Sequence, residues 1–414
     1  MFSKVFMSNS TCTASSNLLK VSLGCFMLSC SMLHALKDKP SQGSEAPLGW
    51  RFQTLPSIPK VPVEETVDQD EIARLEKAEM IANMCSKIAS SLENHVNPLP
   101  IIDWLNVSNL PSFFEPTIRS LLKREEYFNA IDSLGKYDLG VQPYGFFSSY
   151  KLDKDEFKLT TFGMTVDGAV TLCERWVVGG GLGYWHSNLD WGKHARGNDV
   201  NCVYGGPFAG YVFDQAYIGL TLLGVYNIYN INHLFEDEKE KKRHEGWDAS
   251  ARLEGGYDIE WTKYCGENFF VQPNADLSYL WVFQNKIEEE KALSDDETIS
   301  STIDSRNYDF FRTRLGVTFK KEFHHVEKGI LIPSLSVGWV LMQPLSQSKI
   351  STTCNDSDEK TIKSKSYPSS NQCHVGAKVI AINKRGMMLS LGADAYIANL
   401  YPVYSGNLRF ECSW

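Results

Sequence analysis

The sequence predicts an all-β transmembrane barrel of about twelve antiparallel strands behind a short helical N-terminal region. Three observations predict it: a period of two sustained from Tyr137 to Trp414, segments longer than a soluble sheet needs, and connections that alternate between short and long. Composition permits this class. Of 414 residues, 43% are hydrophobic and 12% aromatic, with 30 glycines, a mixture suited to strands against an apolar phase with rings at its boundary. A soluble sandwich could share those numbers, so the pattern has to decide. The formal net charge of −9 argues against a nucleic-acid binder, which needs basic patches facing phosphates. Beyond the N-terminus there is no long run of uncharged apolar residues, so spanning helices are not expected.

The chain opens on what reads as an export signal over residues 1–35. Lys20 precedes an apolar stretch over 21–33, and Ala35 precedes a polar segment from Lys37. A lipoprotein reading, acylated at Cys25 or Cys30, lacks a good lipobox. Residues 36–69 are rich in Pro and Ser and read as a linker. Residues 70–136 read as a helical region. Ile72, Leu75, Ile81, Met84, Ile88 and Leu92 recur at helical spacing, predicting an amphipathic helix over 70–93. Prolines 98, 100, 111 and 116 follow, and a second helix is predicted over 117–131, ended by Gly135.

From 137 to 414 the period becomes two. Ala249, Ala251, Leu253 and Tyr257 alternate with Ser250, Arg252, Glu254 and Asp258. Phe311, Thr313, Leu315, Val317 and Phe319 alternate with Arg312, Arg314, Thr318 and Lys320. Successive strand residues point to opposite faces, so each segment has one apolar and one polar face. Twelve such segments lie near 137–151, 157–170, 175–187, 199–213, 216–231, 246–261, 268–283, 307–323, 329–343, 371–382, 386–398 and 402–414. Most are long enough to cross the hydrocarbon layer as tilted strands, which takes about nine to eleven residues. With Trp414 on the inner side, every second connection is short: 171–175, 214–215, 262–268, 324–328 and 383–385. The others include three long polar loops at 233–244, 286–305 and 344–369. Short periplasmic turns alternating with longer outer loops characterise a bacterial barrel, and an even strand count closes it.

The last segment places Tyr404, Gly406, Leu408, Phe410, Cys412 and Trp414 on one face, opposite Ser405, Asn407, Arg409, Glu411 and Ser413. It resembles the terminal strand that the barrel-assembly machinery reads, with Leu408, Phe410 and Trp414 as its apolar row. Earlier segments resemble strands of the autotransporter β-domain family: Phe162-Gly163-Met164-Thr165-Val166-Asp167-Gly168, Trp176-Val177-Val178-Gly179-Gly180-Gly181-Leu182-Gly183-Tyr184, and Phe208-Ala209-Gly210-Tyr211-Val212-Phe213 running into Tyr217-Ile218-Gly219-Leu220. The resemblance covers about 137–414 and implies an outer-membrane barrel through or beside which an N-terminal passenger reaches the surface. It also implies a helix threading the pore before the first strand, with 70–93 or 117–131 as candidates. The chain departs from the family in its passenger, which is short, without repeats and without a recognisable catalytic motif.

If the barrel is closed, Arg252, Glu254, Asp276, Arg312, Arg314, Lys378, Asp394, Arg409 and Glu411 line its lumen. They form either a ring that sets selectivity or grips a helix, or a self-satisfying network of opposite charges. The mixed-charge run 236–243 reads as a solvated loop tip, and His324 and His325 lack further ligands for a metal. Gly179 to Gly183 is followed by no helix start, so strand packing explains it better than phosphate binding. Trp185, Trp191, Tyr217, Trp281, Trp339 and Tyr396 stand near strand ends, where rings anchor at the headgroup boundary or simply pack. There are ten cysteines; Cys354 and Cys373 flank one polar loop and read equally as a disulfide or as two free thiols. Neither an enzymatic site nor a cofactor is expected. The expected role is translocation, display or plugging by the N-terminal region, with a porin-like solute channel or a surface adhesin as alternatives. The partners implied are outer-membrane lipid and the assembly machinery, but no nucleic acid.

Overall fold

The computed structural model describes residues 74, 76–80, 83, 99–114 and 136–414, apart from 153–154, 174, 191–195, 236–237, 262–267, 295–296, 326–328, 348–349, 355–359, 363–368 and 399–401. The expected signal, the linker and the helix over 117–131 lie outside the described residues. The helix expected over 70–93 is described only at 74, 76–80 and 83, where it is helical and exposed.

Among the described residues one further helix, α1 (Leu99–Ser108), precedes eighteen strands. These are β1 (Tyr137–Leu152), β2 (Asp155–Leu172), β3 (Trp176–Asp190), β4 (Arg196–Val212), β5 (Ala216–Phe235), β6 (Glu238–Tyr257), β7 (Ile259–Glu260), β8 (Phe269–Gln284), β9 (Ile287–Ser294), β10 (Glu297–Ile303), β11 (Arg306–Lys321), β12 (Phe323–His325), β13 (Gly329–Gln347), β14 (Ile350–Cys354), β15 (Lys360–Ile362), β16 (Ser370–Ile382), β17 (Met387–Ile397) and β18 (Val403–Ser413). The large sheet has 14 strands, of which β7 and β12 are short spurs, leaving a wall of twelve. Every neighbour is antiparallel. The pairings of β11 with β8 and of β18 with β1 bring the sheet back on itself. At that seam the Trp414 and Tyr137 backbones exchange hydrogen bonds of 2.9 and 3.0 Å. A closed sheet leaves no edge group to be satisfied by lipid. Among the described residues, no helix is long and apolar enough to cross a membrane.

Alternation decides which side each residue serves. In β3, Val177, Trp185 and Leu189 are buried inward, while Leu182 stands 70% exposed on the outer surface. Phe162, Leu335, Leu391 and Val203 are likewise outward and more than half exposed. An apolar surface that wraps all round a protein is a surface for lipid. Rings cluster at its two rims: Tyr137, Trp176, Phe213, Trp261 and Trp414 near the inner turns, and Tyr184, Trp247 and Tyr404 toward the outer end.

The rim assignment made from sequence needs correction. Trp281 is indeed outward, and Trp339 is half-buried on the outward row, but Trp185, Tyr217 and Tyr396 are buried inward. Trp191 lies outside the described residues. Distance from a strand end does not fix the face; Trp185 shares its parity with Val177 and Gly181, and that parity points inward.

The outer connections also differ from expectation. The expected loop over 233–244 is a continuation of β5 and β6, which stay paired out to Phe235 and Glu238. The loops over 286–305 and 344–369 contain β9, β10, β14 and β15, which form a second sheet in the order β15-β14-β10-β9. Among the described residues the four with positive φ, Cys173, Asn268, Gly329 and Gly386, lie at inner-end turns.

Candidate functional site: the lumen and the segment it holds

The segment 99–114 lies inside the ring of strands. Its helix is short for good reasons: Pro100 sits in the first turn, where a missing N–H is tolerated, and Pro111 bars continuation. At the C-terminal end the Asn109 side chain and backbone N–H both donate to the Leu105 carbonyl, at 2.7 and 3.2 Å. Every residue from Leu99 to Val107 is buried. A helix enclosed on all sides can be apolar on all sides, which explains why it shows no amphipathic stripe. Ile102, Trp104 and Leu105 are wholly enclosed, and Trp104 stacks on Phe310 of β11 at 4.5 Å between centroids. Full burial of such a side chain stabilises by about 1.5–3 kcal/mol.

Two polar residues of α1 find partners on the wall. Tyr229 of β5 donates to Asp103 at 2.5 Å. The Asn106 carbonyl oxygen accepts from Thr161 of β2 at 3.0 Å and from Ser187 of β3 at 3.1 Å. Below the helix, Arg252 of β6 donates to the Leu110 carbonyl at 3.3 Å, and Ser112 donates to Glu254. Phe113 and Phe114 then turn into the wall. The Phe114 ring covers Gly210 of β4 and Gly219 of β5, where a Cβ would collide with it, and lies 5.9 Å from the Tyr217 ring. Phe113 lies over Gly181, with Phe208 and Tyr204 beside it. These partners also give the direction of the segment. Asp103 meets the outer half of β5, whereas Phe114 meets Tyr217 at its inner end.

All nine lumen residues expected from sequence turn inward. Arg409, Glu411, Asp276, Glu254 and Arg312 are buried, and Arg252, Arg314, Lys378 and Asp394 are partly so. They divide into separate groups. At the seam, Arg409 reaches from β18 across β1 to Asp167 of β2 as a two-pronged pair of 2.7 and 2.8 Å. It also donates to Glu411 at 2.7 and 2.9 Å and to Gln142 at 3.3 Å. Two parallel bonds to one carboxylate suit the planar guanidinium fork. A second group joins β6, β8 and β11: Arg252 pairs with Asp276 and lies 3.5 Å from Glu254, and Arg312 lies 3.4 Å from Asp276. Asp394 pairs with His374 at 2.9 Å, and that ring stacks on Tyr396. Lys378 and Arg314 line a cavity beside the segment. Of the assembly-strand residues, Leu408, Phe410 and Trp414 all face outward.

Sequence reasoning missed the segment itself. It placed the pore helix over 70–93 or 117–131 and passed over 99–114 as a proline-interrupted stretch. The signal was present in two places: Ile101, Ile102, Trp104 and Leu105 have few charges among them, and Gly179, Gly181 and Gly183 repeat at period two on the inward row of β3. The sequence leaves Cys354 and Cys373 open between a disulfide and two free thiols. Cys373 is a free thiol on the outward row of β16, between Trp339 and Ile397 on the neighbouring strands. Alternation aims it at lipid, away from the second sheet that holds Cys354. His324 lies 3.6 Å from Glu322, and the described residues contain no group of three or more His, Cys, Asp or Glu placed to hold a metal.

The chain matches the β-domain of the Bordetella autotransporter BrkA at 17% identity and a TM-score of 0.50, over 67% of this chain and 99% of that one. It matches the translocator domain of NalP from Neisseria meningitidis at 11% identity and a TM-score of 0.55, over 71% and 95%. The transport unit of AIDA-I from Escherichia coli matches at 12% identity and a TM-score of 0.54, over 78% and 99%. At such identities the likeness is one of fold. Among curated proteins none matches by sequence. The family model described as the autotransporter beta-domain matches residues 141–394, more than half of the sequence, and the chain belongs to that family.

Proposed function

We propose that this barrel carries its own N-terminal region across the outer membrane and then keeps residues 99–114 as a plug, with the chain before Leu99 left on the outer side. Membership of the family implies the bacterial outer membrane, and in bacterial barrels the short turns face the periplasm. The observation that carries the proposal is the seat of Phe114 on Gly210 and Gly219. A polypeptide merely in transit needs a smooth, wet lumen. A ring fitted over two positions where no other residue has room is a resting place. The direction of the segment supports display: α1 lies at the outer half and Phe114 at the inner end, so Leu99 heads toward the outer mouth. The packing of Trp104 on Phe310 fills the lumen at that level and speaks against an open solute channel.

Two measurements test this. In planar bilayers the full-length protein should be nearly silent, and deletion of 99–114 should open a steady current. Protease added to intact cells should remove the chain before Leu99. A large steady current from the full-length protein would refute the plug; protection of that chain until the cells are permeabilised would refute display.

A further inference from the structure

Beside the plug the lumen is not filled. A cavity of about 140 Å³ lies between the segment 108–112 and the far wall. A single water needs only roughly 10–15 Å³ of such a space, so a small oxyanion fits together with hydrating water. Arg252, Arg312, Arg314 and Lys378 line it, against Asp394 as the lining carboxylate. Asp394 is engaged by His374, and Asp276, also turned inward, is held by Arg252 and Arg312. With Glu254, 3.5 Å from Arg252, counted beside these two carboxylates, one positive charge remains in excess. Lys378 is the clearest case. Its cross-strand neighbours are Ser334 and Gly392, and no described carboxylate lies within ion-pairing distance of its ammonium group. Two small neighbours leave that ammonium group open to the cavity. Low-dielectric walls focus the field of such a cluster.

We propose that this cavity is a binding site for a small free oxyanion of the phosphate or sulfate class, held by Lys378 together with Arg312 and Arg314. A free ion is meant rather than a lipid headgroup, because every one of these side chains lies on the inward face of the wall. The proposal goes beyond the plug reading and does not depend on which side receives the chain before Leu99.

The test is calorimetric titration of inorganic phosphate into the folded full-length protein in detergent, with chloride at matched ionic strength as the reference. Folding is verified for each variant by heat-modifiable gel migration. Saturable binding is expected in the wild type, with at least a tenfold loss of affinity in Lys378→Gln. Ser334→Asp should have the same effect by giving Lys378 a carboxylate partner on the next strand, without removing any cation. Phosphate heats no larger than those of chloride would overturn the site, as would an isotherm unchanged in both variants. Bilayer conductance is a separate readout, so a failed plug and a failed anion site are distinguishable.

Discussion

The two sides of the lumen are built from the same alternating strands yet hold themselves together differently. On the side formed by β3, β4 and β5, the inward rows are glycines and rings, and their partner is the apolar segment 99–114. At the seam where β18 meets β1, the inward rows are charged, and one arginine ties three strands together. The difference follows from what each wall faces. A wall pressed against another piece of polypeptide gains from shape and apolar contact. A wall with no such piece must satisfy its inward polar groups among its own residues. The outward face is uniform because lipid is the same everywhere.

The largest expected effect comes from breaking the seam. Arg409→Met leaves Asp167 and Glu411 buried without their cation, and removing one member of a buried ionic group costs about 3–5 kcal/mol. The heat-modifiable fraction should collapse at a much lower urea concentration than in the wild type. Converting Asp167 and Glu411 to Leu in the same background should recover most of the loss, since an apolar replacement of the whole group removes the stranded charges. A triple variant no more stable than Arg409→Met would show that the seam depends on charge pairing itself.

Phe114→Ala attacks the other wall and should separate docking from folding. Losing a buried phenylalanine costs about 3–5 kcal/mol, and here the loss falls on the seating of the segment. The barrel should keep its heat-modifiable migration while the segment becomes open to protease and the bilayer current appears. If Phe114→Ala destabilises the whole barrel as Arg409→Met does, the segment is part of the core and the contrast between the two walls fails.

These two walls were not equally legible in the sequence. The seam was: Arg409 and Glu411 share a face of an alternating strand, and charged residues on the face opposite Leu408 and Phe410 have to point away from lipid. What alternation could not supply was the partner, because Asp167 lies 242 positions away and two strands over. The gripping wall was harder to read. There both faces are apolar, so period two stops distinguishing lipid from lumen, and Trp185 and Tyr217 were placed at the membrane rim. The helix α1 escaped for a related reason: enclosure on every side removes the amphipathic period by which helices are recognised, and its prolines look like a linker.

A smaller effect is expected at the latch between the walls. Ser112→Ala removes the hydroxyl that donates to Glu254 and accepts from the Phe114 N–H at 3.1 Å. A hydrogen bond to a charged group contributes about 1.5–3 kcal/mol, and the lower end applies because Arg252 stays 3.5 Å from Glu254. Protease cleavage of the segment should quicken about tenfold, well short of Phe114→Ala. Equal rates in the two variants would mean that the latch, rather than the ring seat, holds the segment.

The smallest effect is expected at an exposed ion pair that matches the seam in residue type. Arg175 and Asp214 sit on the inner rim at 3.4 Å, with side chains 51% and 83% exposed. Arg409 and Asp167 are the same two residue types at 2.7 Å, with side chains 1% and 3% exposed. Both join an arginine to an aspartate across the wall, so chemistry is held constant and solvent is the variable. In water the Coulomb attraction is screened and two flexible side chains have to be ordered to realise it. Arg175→Ala should therefore shift the unfolding free energy by less than about 1 kcal/mol, with the shift vanishing in high salt. It strands no charge, because Asp214 simply hydrates. A loss comparable to that of Arg409→Met would mean that charge pairing governs stability wherever it occurs in the barrel, and burial would no longer explain why the seam is built as it is.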